Sequence, residues 1–267
     1  MNSAVKEKCG GVLKDLTQKR FVVFVKRGNT AIRLSLKLVG KLGYKEVLLQ
    51  DQGGWLTYKQ FCKKEKLKPV ELRTKQGVLK PEALRGYSDC ALLINSMPGY
   101  AALQNMKPVS KVCGEKRIFL INDVTGSIGT PEAERGDIIL GSFGDDKPVN
   151  LGHGGFIATN NYEHLGFLED NNPDYNIDFN ALLRKLNTLS KRINYYRLIR
   201  SKVLDDLKDY DIIHRKEDGI NIIVRYYDDS ERERLINYCD NEGLEYTLCP
   251  RTIRVKERAV CIEIKRK

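Results

Sequence analysis

The feature that most constrains the fold is an alternation, along the first 160 residues, of short apolar runs with segments of helical periodicity. Arg20-Phe-Val-Val-Phe-Val-Lys26 is a compact apolar run, and Gly28-Asn29-Thr30 follows it as a turn. Ile32, Leu34, Leu36, Leu38, Val39 and Leu42 then include the i,i+4 pairs of a buried helix face. Residues 47–50 and 69–72 read as strands with a helix over 56–66 between them. Residues 90–95 and 118–123 are further strands, with a helix near 101–106. Residues 138–140 and 156–159 are two more short apolar runs. Strands alternating with helices imply an α/β fold with a doubly wound, mainly parallel sheet.

Beyond residue 160 the pattern changes. Residues 160–178 are rich in Asn, Asp and aromatics without a clear period, so they read as the connection between a large domain over 1–178 and a second over 179–267. The second opens on one long helix over 179–207, marked by Leu182, Leu183, Leu186, Leu189, Ile193 and Tyr196. A small α/β layer follows: a strand over 220–226, a helix over 230–242, and strands near 246–248 and 259–264. Ser230, with Glu233 three residues later, reads as the capped start of that helix. A chain of 267 residues suits one large and one small domain.

Composition narrows the classes. At 41% hydrophobic and 30% charged residues the chain is ordinary for a globular protein, and no stretch approaches the roughly 20 apolar residues of a membrane span. The start, with Lys6, Glu7, Lys8 and Gly10-Gly11, lacks the apolar run of a secretory signal, which gives a cytoplasmic expectation. The seven cysteines show no C-x-x-C pair, and no histidine stands at ligand spacing, so neither a disulfide framework nor a metal site is indicated. They read as small buried apolar residues, with a catalytic persulfide on one of them as the alternative. The net charge of +11 attracts polyanions without selecting one. Lys63, Lys64, Lys66 and Lys68 look like a solvated stretch, and nucleic acid is not favoured as the partner.

The segment richest in chemistry is Ser142-Phe-Gly-Asp-Asp-Lys147-Pro-Val-Asn-Leu-Gly-His-Gly-Gly-Phe156. A lysine stands in a turn between apolar runs, followed by clustered glycines. Read alone, it is equally a surface loop. An amine that attacks a carbonyl must be unprotonated, so it needs a site that lowers its pKa, and glycines let backbone pack close to a flat ligand.

The pattern Ser-Phe-x-x-x-Lys-x-x-x-x-Gly-x-Gly-Gly resembles the Schiff-base lysine segment of the DegT/DnrJ/StrS sugar aminotransferases. The resemblance covers most of the chain in order, at low identity. It implies fold type I, pyridoxal 5'-phosphate (PLP) as cofactor, and a Schiff base on Lys147. Asp123, at the end of Ile118-Phe-Leu-Ile-Asn-Asp, resembles the aspartate of the family's Glu-Asp-Ala-Ala strand end, whose carboxylate pairs with the pyridinium nitrogen. Asn29 and Thr30 resemble the turn that receives the cofactor phosphate, where backbone N–H groups and the helix dipole favour an anion. Ser142 sits where the family places a phosphate-contacting serine, and Trp55 where it carries an aromatic stacked on the ring. Without the resemblance these would read as an Asp opening a loop, a good N-cap and a core Trp.

The departures are specific. Gly126 stands where the family usually has Gln or His near the cofactor's phenolic oxygen, and His153 stands where it has Glu. The segment after the lysine strand is compressed, and with it the substrate pocket. The resemblance implies a transaminase with a small-molecule amino donor and acceptor, and a homodimer. The alternatives are a PLP-dependent lyase or desulfurase, an enzyme acting on an RNA-linked amino acid, and a non-enzymatic binding protein on the same fold.

Overall fold

The computed structural model describes residues 2–267. Helix α1 (Asn2–Thr17) leads into strand β1 (Phe21–Val25), helix α2 (Gly28–Lys41), β2 (Glu46–Gln50), α3 (Thr57–Lys64) and β3 (Lys68–Leu72). The chain continues through β4 (Ala91–Asn95), α4 (Met106–Glu115), β5 (Phe119–Asp123), β6 (Ile138–Ser142), β7 (Gly155–Thr159) and α5 (Tyr162–Asp170). These strands form one seven-stranded sheet in the order β1-β7-β6-β5-β4-β2-β3. β7 is antiparallel to both neighbours, while β6-β5-β4-β2-β3 are parallel, so the sheet is mainly parallel as the alternation predicts. Strands such as β4 (ALLIN) and β5 (FLIND) are near-continuous apolar runs because helices cover both faces.

On one face α2, α3 and α5 pack Ile32, Leu36, Tyr58 and Leu168 against Val25, Leu49, Leu93 and Ile121. On the other, α4 sets Met106 and Val109 on Leu92 and Leu120. Beside it α1 places Leu13 on the β1, β6 and β7 side of the sheet.

The remaining chain forms α6 (Phe179–Asn187), α7 (Leu189–Asp206), β8 (Ile212–Ile213), β9 (Ile222–Arg225), α8 (Asp229–Asn241), β10 (Tyr246–Cys249) and β11 (Ala259–Ile262). Its four strands make an antiparallel sheet in the order β10-β11-β9-β8. Tyr196 and Val203 of α7 and Leu235 of α8 pack onto Ile222, Val224, Val260 and Ile262.

Four local readings need correction. The stretch 179–207 is two helices that part at Thr188, so that α6 stays on α1 through Phe179, Leu182 and Leu186 while α7 joins the second sheet. Residues 160–178 are not merely a connection: Asn161 caps α5 by accepting from Glu163 and His164 N–H at 2.8 and 3.2 Å, and Leu168 enters the core. The helix placed at 101–106 begins only at Met106, where the Asn105 side chain accepts from the Lys107 N–H at 3.1 Å; upstream lies a single 3-10 turn, Pro98–Tyr100. Helix α8 is capped by Asp228, whose carboxylate accepts from the Glu231 N–H at 2.7 Å, two residues ahead of Ser230. No helix among the described residues is long and apolar enough to cross a membrane.

Candidate functional site

Strands β1, β4, β5 and β6 end at one edge of the large sheet, and the loops beyond their carboxyl ends enclose a cavity of about 300 Å³. Ligand sites of open α/β sheets lie at this edge. Asn29, Trp55, Asp123, Ser142 and Lys147 all line the cavity. Thr30 does not: its N–H closes the first turn of α2 on the Arg27 carbonyl at 2.9 Å, and its side chain lies outside the lining.

Lys147 stands on the connection from β6 to the antiparallel β7. That loop is tied down by backbone bonds from Leu151 to Phe143 at 2.9 Å and from Gly154 to Lys26 at 3.0 Å. Gly152 and Gly154 adopt φ of +86° and +89°, which side chains disfavour, so the glycines read from sequence are what lets the loop turn back. The Lys147 ammonium nitrogen lies 5.1 Å from the centre of the Trp55 ring and 5.5 Å from that of Tyr100. Burial, and next the Arg254 guanidinium, push its pKa below that of a free lysine, while Asp123, Asp146 and Glu263 oppose the shift.

Asp123 is 5% exposed at the end of β5. The Tyr58 hydroxyl donates to Oδ2 at 2.5 Å, and the Thr125 hydroxyl and N–H donate to Oδ1 at 2.6 and 3.0 Å. Burial raises its pKa, and the Thr125 and Tyr58 donors and the Lys147 charge pull the other way. The outcome is a desolvated carboxyl, oriented by donors on both oxygens, with acceptor capacity left for a cationic partner.

The amino end of α2 opens into the same cavity without a side-chain cap, since Arg27 at the cap position supplies none. Gly28 lies so close to Ser142 that a Cβ there would meet the serine Cβ at 2.6 Å and Oγ at 2.9 Å. A free helix N-terminus beside a serine hydroxyl is a receptor for an anion. The Asn29 side chain points elsewhere: its oxygen accepts from Trp55 Nε1 at 2.9 Å and from Thr57 Oγ1 at 3.2 Å, which fixes the indole over the cavity mouth.

Four lining or supporting residues were not legible beforehand: Tyr58, Tyr100, Thr125 and Arg254. Thr125 had a local signal, because Asp-x-Thr after a strand is a self-bonding turn. Arg254 comes from the far end of the chain. It is held by Glu263, which accepts from Arg254 Nε and Nη2, each at 2.9 Å, from Asn221 at 2.8 Å and from Thr247 at 2.8 Å. Lys265 Nζ lies 3.5 Å from the same carboxylate, which is 1% exposed. At Gly126 a Cβ would meet Met97 Cβ at 3.0 Å and the Tyr100 ring at 3.1 Å, so the Tyr100 ring fills the room that a side chain there would need.

In sequence, the MJ1341 family C-terminal domain matches residues 186–266. No curated protein matches the chain. In structure, the chain superposes on E. coli GDP-4-keto-6-deoxy-D-mannose-3-dehydratase with bound hydrated PLP at a TM-score of 0.76 and 15% identity, over 97% of this chain and 87% of that one. 3-Amino-5-hydroxybenzoic acid synthase gives 0.75 at 14% identity, over 98% and 85%. Histidinol-phosphate aminotransferase from Clostridium acetobutylicum gives 0.72 at 15%, over 97% and 84%. The chain therefore has the fold of the fold-type I PLP-dependent enzymes.

Proposed function

We propose that the chain is a PLP-dependent enzyme of the aminotransferase type, a short relative of the DegT/StrS enzymes, with Lys147 as the lysine that joins the cofactor. The observation that carries this reading is the convergence of a deprotonation-prone amine, a desolvated carboxylate and an uncapped helix N-terminus on one cavity. Those three groups match three of the cofactor's polar parts: carbonyl, ring nitrogen and phosphate. Bound there, the cofactor supplies an electrophilic carbon and a conjugated ring that takes up electrons released beside an amine.

The residues have separate roles. The N–H groups of Gly28 and Asn29 and the Ser142 hydroxyl hold the phosphate. Asp123, whose anion the Thr125 and Tyr58 donors favour against the upward push of burial, would hold a proton on the ring nitrogen. Trp55, fixed by Asn29, walls the cavity and sets the plane of the ring. Lys147 would hold the cofactor through its amine and, when that amine is free, would serve as the general base and acid that moves a proton beside the substrate's amine. The rim residues Trp55 and Leu56 are 38% and 62% exposed, which suits the homodimer that the resemblance implies.

The desulfurase alternative requires an accessible thiol. All seven cysteines are buried, and none lines the cavity. The test is a screen of single amino acids against PLP-loaded protein, with the products resolved by mass spectrometry. Amino transfer predicts one keto acid per turnover and its reversal by an added keto acid. Elimination products, or no keto acid from any donor, would overturn the transaminase assignment.

A further inference from the structure

Tyr100 lines the cavity and belongs to the same buried core as Met97, Ile222 and Val224, with its backbone in a strained conformation. Its φ is +61°, in the left-handed region where a bulky residue is strained. The conformation is enforced from outside: the Tyr100 carbonyl accepts from both Ile220 and Asn221 N–H at 2.8 Å, and its own N–H donates to Met97 O at 2.9 Å. Gly219 is pressed so closely on Ala101 that a Cβ would lie 2.3 Å from the Ala101 carbonyl oxygen. The second sheet thus clamps this loop. The residue is 7% exposed and lines the cavity, and its hydroxyl, open to that cavity, makes no hydrogen bond to the described residues. Phenylalanine would fill the same space beside Gly126, so a hydroxyl that opens onto the cavity with no protein partner is placed for a ligand there.

Three cations surround the ring: Lys265 Nζ, Lys147 Nζ and Arg254 Cζ lie 5.2, 5.5 and 5.6 Å from its centre. Burial, with Asp123 next, nevertheless drives the phenol pKa upward against Arg254. The hydroxyl keeps its proton and is therefore a donor.

We propose that the Tyr100 hydroxyl donates a hydrogen bond to the phenolic oxygen of the cofactor, in place of the side chain that position 126 lacks. This rests on the cofactor reading above. A donor at that oxygen favours its ionised form, so it lowers the pH at which the near-visible band of the lysine-bound cofactor titrates. The experiment is a pH titration of that band in PLP-loaded wild type and Tyr100→Phe, with borohydride fixation to Lys147 as the check on loading. The expected result is a midpoint about one pH unit higher in Tyr100→Phe, with fixation retained. An unchanged midpoint with fixation retained overturns the role of Tyr100 and leaves the cofactor reading standing. A wild type without band or fixation overturns both. Should Tyr100→Phe not fold, Gly126→Ala displaces the same ring through its new methyl group; the midpoint then rises in that variant, and an unchanged midpoint overturns the proposal.

Discussion

Replacing Glu263 with Gln should destabilise the protein far more than its single charge suggests. The carboxylate is 1% exposed and is shared by Arg254 and Lys265, themselves 5% and 3% exposed. Its removal leaves two cations buried with no counter-charge beside them. Breaking a buried pair by deleting one partner costs about 3–5 kcal/mol. Two features place Glu263→Gln at the lower end, near 3 kcal/mol: the amide still accepts one hydrogen bond, and Lys265, already pushed down to about 8, can lose its proton. The assay is urea unfolding at pH 7 by far-ultraviolet circular dichroism, in parallel with Lys265→Met. Methionine removes a desolvated cation and keeps the volume, so Lys265→Met should lie within about 1 kcal/mol of wild type. The double variant should recover part of the loss. If Glu263→Gln costs under about 1 kcal/mol, or Lys265→Met costs as much as Glu263→Gln, the cluster is not held by its central carboxylate.

The same cluster sets a pH dependence. Lys265 has a folded-state pKa of about 8 against 10.5 unfolded, so the unfolded chain binds more protons between those values and stability rises with pH there. Wild type should gain on Lys265→Met across this window, and parallel profiles would contradict the assignment. Glu263 is also shifted below its usual value, which for an acid is stabilising, so its contribution is present above the unfolded pKa and is lost as pH falls through the folded one; acid unfolding of Glu263→Gln should be correspondingly shallower. Tyr58→Phe removes the donor to Asp123 Oδ2 and should cost about 1.5–3 kcal/mol in denaturant titrations, a smaller loss meaning that Thr125 suffices. Gly28→Ala sets a methyl group 2.6 Å from Ser142 Cβ, so it should cost about 1–3 kcal/mol of stability and weaken PLP binding by roughly tenfold or more; unaltered affinity in an equilibrium titration would remove the helix N-terminus from the phosphate site.

How much of this was readable in the sequence follows from which interactions are local. The apolar runs that became β1, β2 and β4 to β7 announced themselves, because strands covered on both faces need little beyond apolar residues and a turn. The glycines around Lys147 and the strand-terminal Asp123 were legible for the same reason. The break at Thr188 was not: the i,i+4 apolar spacing runs through it, and the two halves differ only in which core they join. Helix α5 hid in a stretch rich in Asn and Asp, where the one decisive residue is its cap, Asn161. Within the cavity, Asn29 was expected at an anion, yet its side chain holds Trp55. Arg254, Glu263 and Tyr100 meet only because the second sheet docks on the loop after β4, a long-range arrangement with no spacing to betray it.

The central claim is that Lys147 carries the cofactor, and the most direct measurement is borohydride reduction of PLP-loaded protein followed by peptide mapping. The account predicts a near-visible band that reduction abolishes and a phosphopyridoxyl mass on the peptide containing Lys147, both absent in Lys147→Ala. Label on another lysine, Lys265 included, or no covalent label despite PLP binding, would contradict it.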